Sequence, residues 1–397
     1  MKRIPVLLTV YCCLSTVSAR GAAPAVVAPA WAGPAKSYYL VDFQSGQAIV
    51  SKSADDLMIP ASMIKLMTAE LAFDALRSGK ISMNTKLITP KNADHKNPAL
   101  LSASKVCLSE GQVITVEDAL TGLLVVSGGD AAITLAEKLG GSEEAFVQMM
   151  TERARKIGME YTSFGNSSGL PDVNNLSTSR ELAILADHII RTYPEYLYFF
   201  RTRRFEFVNP ITDFCRAWAK SHAINYNKLL FIMGGADGMK TGHTVKGGYG
   251  MVATANRKNR RLIAVINGMN AKGHDPLALE AKRLLEYGYE NTFNREIKSE
   301  AVVPVWYGRK PEVIARTKRP FILTLKNGTD LDALRVSAFV SNDISAPLAA
   351  GEEVGLIVAT LDGVEIKSDK LYAVEDVPRI RFFGRILRNI RFFAEKL

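Results

Sequence analysis

The sequence predicts an α+β protein. A mixed region of helices and strands spans residues 37–294, a small β-rich domain 295–376 and an amphipathic helix 377–397. Three observations carry this. Between Ser37 and about Asn294, β-type runs alternate with segments whose apolar residues recur at helical spacing. Beyond that point, short Val, Ile, Leu and Phe runs are punctuated by Asn327-Gly328 and Asp362-Gly363, dipeptides that favour hairpin turns, and no stretch of 296–374 has a helical period. From Pro378 onward, arginines and bulky apolar residues interleave. The 397 residues are 47% hydrophobic and 23% charged, which excludes a disordered chain, a collagen-like repeat and a disulfide-dense miniprotein. The net charge of +10 admits nucleic acid, an anionic membrane surface or an acidic substrate as partner.

Taken in order, Met1-Lys2-Arg3, the apolar run Ile4 to Val17 and the small residues Val17-Ser18-Ala19 have the plan of a secretory signal over 1–19. An uncleaved anchor is the alternative, although spanning takes about 20 apolar residues. Tyr11 precedes Cys12 where a lipoprotein signal would place a small residue. Cleavage near Ala19 leaves Cys107 and Cys215, for which one disulfide is possible but not required. Residues 20–36, rich in Ala, Pro and Gly, read as a flexible lead-in. Tyr38–Asp42 and Gln47–Ser51 read as strands, and 61–77, 116–139, 143–157 and 178–191 as helices. Met251–Ala255 and Leu262–Gly268 read as a hairpin.

Ser62 and Lys65 stand at i and i+3 of a helical stretch after Pro60, so hydroxyl and amine share a face. A serine becomes a nucleophile when a base takes its proton, and a lysine is such a base only if burial or nearby cations keep it neutral. Alone this pair is a weak pattern, equally compatible with a helix cap and a solvated lysine. Two further motifs change that. Ser127-Gly128-Gly129 lies within an apolar setting, and Lys240-Thr241-Gly242 directly precedes the hairpin. In order and spacing these motifs resemble the serine DD-peptidase and penicillin-binding superfamily. Asn225-Tyr226-Asn227-Lys228-Leu229-Leu230, Gly235–Thr244, Phe164–Asp172 and Ser177–Ala183 are similar to low-molecular-mass D-alanyl-D-alanine carboxypeptidases in particular, and the likeness spans roughly residues 30–397.

The resemblance implies a DD-peptidase/β-lactamase-like domain, an antiparallel sheet packed with helices, over 37–294. It also implies an acyl-enzyme mechanism without cofactor or metal. Ser62 would attack the penultimate D-Ala carbonyl of a peptidoglycan stem peptide, with Lys65 as base and Ser127 relaying a proton to the leaving amine. Lys240 and Thr241 would hold the terminal carboxylate. Gly242 would lie in the same binding strand, and the backbone N–H groups of Ser62 and His243 would form the oxyanion hole. β-Lactams would acylate Ser62. One position departs from the family: Gly129 stands where an Asn is usual. Another polar group or a water filling the gap with slower turnover, a tolerated variant, and an impaired wall-binding or penicillin-sensing protein all remain open. So does a DD-endopeptidase. A β-lactamase is disfavoured by the β domain, the terminal segment and the lack of a deacylating Glu motif.

Other signals carry less. Gly165-Asn166-Ser167-Ser168-Gly169 fits a nucleophile elbow but follows no strand, and His95, His188, His222, His243 and His274 show no zinc-type spacing. Among them only His243 is placed at the site. On a helix, Phe382, Phe383, Ile386, Leu387, Ile390, Phe393 and Leu397 share one face while Arg381, Arg385, Arg388, Arg391 and Lys396 share the other. Such a helix lies in a membrane interface, and the expected location is the periplasmic or extracytoplasmic face of the cytoplasmic membrane. A helix packed on the protein's own core and a basic arm for nucleic acid are the alternatives. Charge placement argues against nucleic acid: residues 1–19 hold +2 and 379–397 hold +5, leaving +3 for the body.

Overall fold

The strands between Ser37 and Met269 are apolar over most of their length, as a sheet covered on its faces requires. In the computed structural model, which describes residues 9–12, 33–207, 212–341 and 343–380, β1 (Ser37–Asp42), β2 (Ala48–Lys52), β3 (Ala236–Thr244), β4 (Gly248–Arg257) and β5 (Arg260–Met269) form one antiparallel sheet in the order β2-β1-β5-β4-β3. Both expected strand pairs are present, the second extended at each end. Two compact units divide the chain, one of residues 29–290 and the other of 1–28 with 291–397.

In the first unit α1 (Lys65–Arg77) is buried on nearly every side, including Leu66, Met67, Ala69, Ala72 and Phe73 at 0% exposure, so it is a core helix rather than a surface one. Burying a side chain such as Phe73 contributes about 1.5–3 kcal/mol. Around it run α2 (Val116–Val125), α3 (Gly129–Gly140), α4 (Glu143–Lys156) and α5 (Ser179–Thr192), the last packed on β1 and β5. Their starts are written locally. Thr115 and Asp118 make a capping box for α2, and Ser142 and Thr178 cap α4 and α5. α6 (Asp213–His222) and α7 (His274–Asn291) complete the labelled helices.

One expectation is corrected here. Residues 116–139 do not form one helix, because Ser127 takes a left-handed backbone (φ +60°) that ends α2 before α3 begins at Gly129. A second concerns Ser62, which lies on a 3-10 turn, Ala61–Ile64, with α proper starting at Lys65. The tighter turn still stacks i over i+3.

In the second unit β7 (Glu300–Pro304), β8 (Glu312–Arg316), β10 (Leu334–Val340), β11 (Glu353–Leu361) and β12 (Val364–Ala373) form a sheet ordered β10-β11-β12-β8-β7, and β6 (Thr292–Ile297) pairs separately with β9 (Phe321–Lys326). The backbone of Thr9–Cys12 runs parallel along β10. Alternate residues such as Val336, Ala338 and Val340 face an apolar core with Phe321 and Leu323. Asp362-Gly363 is the expected two-residue hairpin turn, with both residues at positive φ (+51° and +78°). Asn327-Gly328 is not a hairpin: β9, which precedes it, pairs with β6 instead of the strand that follows. Because Thr292 pairs with Lys326, this unit reaches back to Asn291. The terminal helix from residue 381, the lead-in to residue 32 and the signal apart from 9–12 lie outside the described residues.

Candidate active site

Three chain segments far apart in the sequence, around Ser62, Ser127 and Lys240, meet at one cleft of about 820 Å³, lined by Ser62, Lys65, Ser127, Thr241, Tyr226 and His274 among others. The 3-10 turn presents Ser62 and α1 begins with Lys65, whose Nζ donates to the Ser62 Oγ at 2.9 Å and to the Ser168 carbonyl. The α2–α3 break presents Ser127. Strand β3 brings Lys240, whose Nζ donates to the Ser127 Oγ at 3.0 Å and to the Thr241 carbonyl at 2.9 Å. Lys65, Ser127, Lys240 and Thr241 are all buried, whereas His243 is exposed. All seven residues singled out from the sequence therefore share this region.

The left-handed Ser127 backbone costs about 1–3 kcal/mol. It is held by its neighbours: the Gly128 N–H donates to the Gly122 carbonyl at 3.0 Å and the Gly129 N–H to the Ser104 carbonyl at 2.8 Å. On the other side, β3 presses its backbone onto the serine turn. A Cβ at Gly242 would lie 2.7 Å from the Pro60 carbonyl oxygen and 3.1 Å from the Ser62 nitrogen. A Cβ at Gly169, whose φ is +74°, would meet the Ser62 nitrogen at 2.8 Å. Neither wall accepts a side chain. The Ser62 and His243 amides thus belong to two strips of backbone packed one against the other, as fixed donors to a single point require.

Electrostatics follow from burial. Desolvation brings the Lys65 amine down to about 7, partly opposed by the Asp130 carboxylate. The positive end of α1, where Lys65 stands, works in the same direction as burial. Lys240 is pushed well below the usual lysine range by burial and by Lys65. Two buried ammonium groups in one cleft repel each other, so at neutral pH the site favours one neutral amine. The carboxylate of an arriving ligand beside Lys240 would hold its proton there and leave Lys65 as the base.

Several neighbours of the site are given no role by the sequence. Asp130, fully buried, accepts the N–H groups of Val106 (2.8 Å), Cys107 (2.7 Å) and Leu108 (2.9 Å), so it anchors the segment that borders Gly129. Burial pushes its carboxyl up and those amides pull it back. Ser168, part of the apparent nucleophile elbow, serves through its carbonyl, while the Ser167 hydroxyl donates to Glu143 at 2.6 Å. His243 is not the only histidine at the cleft. His274, at the start of α7, stacks on Tyr226 (5.3 Å) and edges against Tyr249 (5.4 Å), which in turn stacks on His243 (4.0 Å). Burial and the nearby Lys240 lower His274 to about 4, so its ring is neutral at working pH. Only the fold could bring these rings together, because residues 226, 249 and 274 share no motif. His188 lies elsewhere, with its Nε2 3.1 Å from Glu70. At Gly129 a Cβ would meet Leu100 Cδ2 at 3.1 Å, and Ser104 and Ser168 lie just beyond. The space where the related motif carries an amide is bordered by a leucine and two serines.

Residues 24–273 match the D-alanyl-D-alanine carboxypeptidase family, and residues 295–379 match the C-terminal domain of penicillin-binding protein 5. The D-alanyl-D-alanine carboxypeptidase DacA of Haemophilus influenzae is 33% identical over 362 residues, covering 89% of this chain and 87% of that protein. DacF of Bacillus subtilis is 30% identical over 360 residues, covering 90% of this chain and 89% of that protein. Among solved structures, penicillin-binding protein 5 from Haemophilus influenzae superposes with a TM-score of 0.79 at 31% identity, over 89% of this chain and all (100%) of that one. Penicillin-binding protein D2 from Listeria monocytogenes, solved with ampicillin bound, gives a TM-score of 0.55 at 28% identity over 66% of this chain and 100% of that one.

Proposed function

The chain belongs to the D-alanyl-D-alanine carboxypeptidase family and is a serine-type enzyme of that activity, and from this premise we propose how its own residues carry the reaction. The observation that carries the proposal is the 2.9 Å pairing of the Ser62 hydroxyl with a buried lysine amine brought near neutrality. A neutral Lys65 Nζ takes the Ser62 proton as Oγ attacks the penultimate D-Ala carbonyl of a peptidoglycan stem peptide. The N–H groups of Ser62 and His243 receive the developing oxyanion. Ser127, hydrogen-bonded to Lys240, passes a proton to the nitrogen of the terminal D-Ala, which departs as the C–N bond breaks. Water then cleaves the Ser62 ester, with Lys65 again the base. Lys240 and Thr241 hold the substrate's terminal carboxylate, and Gly242 lets that strand approach the serine turn.

β-Lactams present a carbonyl and carboxylate with the same spacing logic and acylate Ser62. Incubating the protein with a fluorescent penicillin and, separately, with a D-Ala-D-Ala peptide tests this. Label and released D-Ala are expected from the wild type and neither from Ser62→Ala. Wild-type protein that takes up no label and releases no D-Ala would sink the assignment. Despite Gly129, a slow enzyme is the reading we favour over a dead one, because the motif residues Ser62, Lys65, Ser127, Lys240 and Thr241 are all present in the sequence. Acyl-enzyme lifetime measured against D-Ala release separates the two, a stable acyl-enzyme without release marking a penicillin-sensing protein.

The location proposed is the extracytoplasmic membrane surface: export by the 1–19 leader, then interfacial attachment through residues 377–397. Among the described residues no helix is long and apolar enough to cross a membrane. Deleting 379–397 is expected to move the enzyme from the membrane pellet to the soluble fraction with its penicillin labelling intact. Unchanged recovery in the pellet contradicts the attachment.

A further inference from the structure

Behind the Ser127 break lies a second cluster that the hydrolytic chemistry does not use. Cys107 and Cys215 form a disulfide with Cα atoms 5.6 Å apart. His95 lies against it: one ring nitrogen and the two sulfurs are all within 4.8 Å of one another. All three side chains are buried, at 5%, 2% and 0% exposure for His95, Cys107 and Cys215. The imidazole is fixed in place, with Nδ1 3.0 Å from the Leu108 carbonyl, the Asp94 carboxylate 3.7 Å away and the Phe214 ring stacked at 6.1 Å. An imidazole can bind a cation through one ring nitrogen while the other hydrogen-bonds to a carbonyl.

The helix that supplies Cys215 is lightly held. Cys215 is the one buried residue of α6, and the other contacts are the stacking of Phe214 on His95 and a Trp218 Nε1 hydrogen bond to the Lys105 carbonyl at 3.1 Å with Lys105 over the indole. A helix with so little buried surface opens locally at low cost, which gives a small dithiol access to the sulfurs.

We propose that His95, Cys107 and Cys215 are a redox-gated site for a thiophilic cation, Zn²⁺ or Cu⁺. A dithiol reduces the disulfide: its own two thiols become a disulfide, and two electrons and two protons pass to Cys107 and Cys215. The cation then binds two thiolates and one imidazole, displacing both thiol protons to solvent. Zn–S bonds of about 2.3 Å and Zn–N bonds of about 2.0–2.1 Å place tetrahedral donors roughly 3.5–3.8 Å apart. Two cysteines with Cα atoms 5.6 Å apart can direct both sulfurs at one cation by side-chain rotation. Thiolate and imidazole donors select these metals over Mg²⁺ or Ca²⁺. The oxidised state ties α6 to the segment at Cys107 by a covalent bond, the metal-loaded state by coordination, and the reduced empty state by neither. That segment carries the amides that hold Asp130 and the Ser104 carbonyl that holds Gly129.

The test uses the full chain carrying Cys12→Ser and Cys13→Ser, so that Cys107 and Cys215 are its only thiols. Oxidised and dithiol-reduced protein, freed of reductant without oxygen, are titrated with Co²⁺ as a coloured stand-in for Zn²⁺. Thiolate-to-cobalt charge-transfer absorption is expected at one equivalent in the reduced protein only, to be lost on adding Zn²⁺, and His95→Gln is expected to weaken Co²⁺ binding by about tenfold or more. Absence of that absorption in reduced protein overturns the proposal, as does equal affinity in His95→Gln. A thermal melt accompanies each sample. If reduction unfolds the chain, Zn²⁺ must restore the melt, and failure to do so counts against the site. Penicillin labelling, expected to fall on reduction and recover with Zn²⁺, rests on the peptidase reading, whereas the absorption readout does not.

Discussion

Lys65→Met slows acylation of Ser62 by about 10²–10⁴-fold, the usual contribution of a positioned general base, while leaving the volume of the buried side chain nearly unchanged. Stopped-time labelling with a fluorescent penicillin measures it. The wild type adds a sign. In the proposed mechanism the base is the neutral amine, and burial lowers Lys65 to about 7. Acylation therefore rises as pH increases through about 7 and falls about tenfold per unit below it. Lys65→Arg remains cationic at every accessible pH, so no rise in pH should recover it. A flat wild-type profile between pH 5 and 8, or an arginine variant that regains its rate in alkali, removes Lys65 as the base.

Asp130→Ala destabilises the fold by about 3 kcal/mol or more, because the N–H groups of Val106, Cys107 and Leu108 lose their acceptor inside the protein. Against a typical stability of 5–15 kcal/mol that is a large share. The urea midpoint of unfolding reports it, and a shift worth less than about 0.5 kcal/mol contradicts the anchoring role. Surviving folded enzyme is expected to acylate slowly, since the same segment supplies the carbonyl that fixes Gly129. Asp130→Asn keeps one acceptor oxygen and should fall between the two.

The parts of this site that follow from periodicity were readable in advance. Ser62 and Lys65 lie three residues apart, and any helical turn brings them together. Asp362-Gly363 specifies its turn because both residues tolerate positive φ. The break at Ser127 was not readable: Leu123-Leu124-Val125-Val126 and Ala131-Ala132 continue an apolar helical pattern, and the left-handed serine is imposed by tertiary contacts, with Lys240 and the Ser104 segment holding it. Asn327-Gly328 misled for a related reason. A local turn preference says where the chain bends and nothing about which strand the next one joins. The Cys107–Cys215 disulfide was open from the cysteine count alone, whereas the approach of His95 to it and of His274 to Tyr226 depends on which distant segments the sheet and helices bring side by side.

The two glycine walls around the serine turn have an evolutionary corollary. Gly169 and Gly242 touch the Ser62 backbone, which in the proposed mechanism receives both substrate and β-lactam, so a substitution there that excluded the drug would also disable the hydrolase. Variation can accumulate instead at the lips of the cleft, where Val173 and Val245 are 85% and 98% exposed. Resistance and altered peptide preference should therefore arise by drift at these two valines, on a catalytic floor that selection holds nearly still.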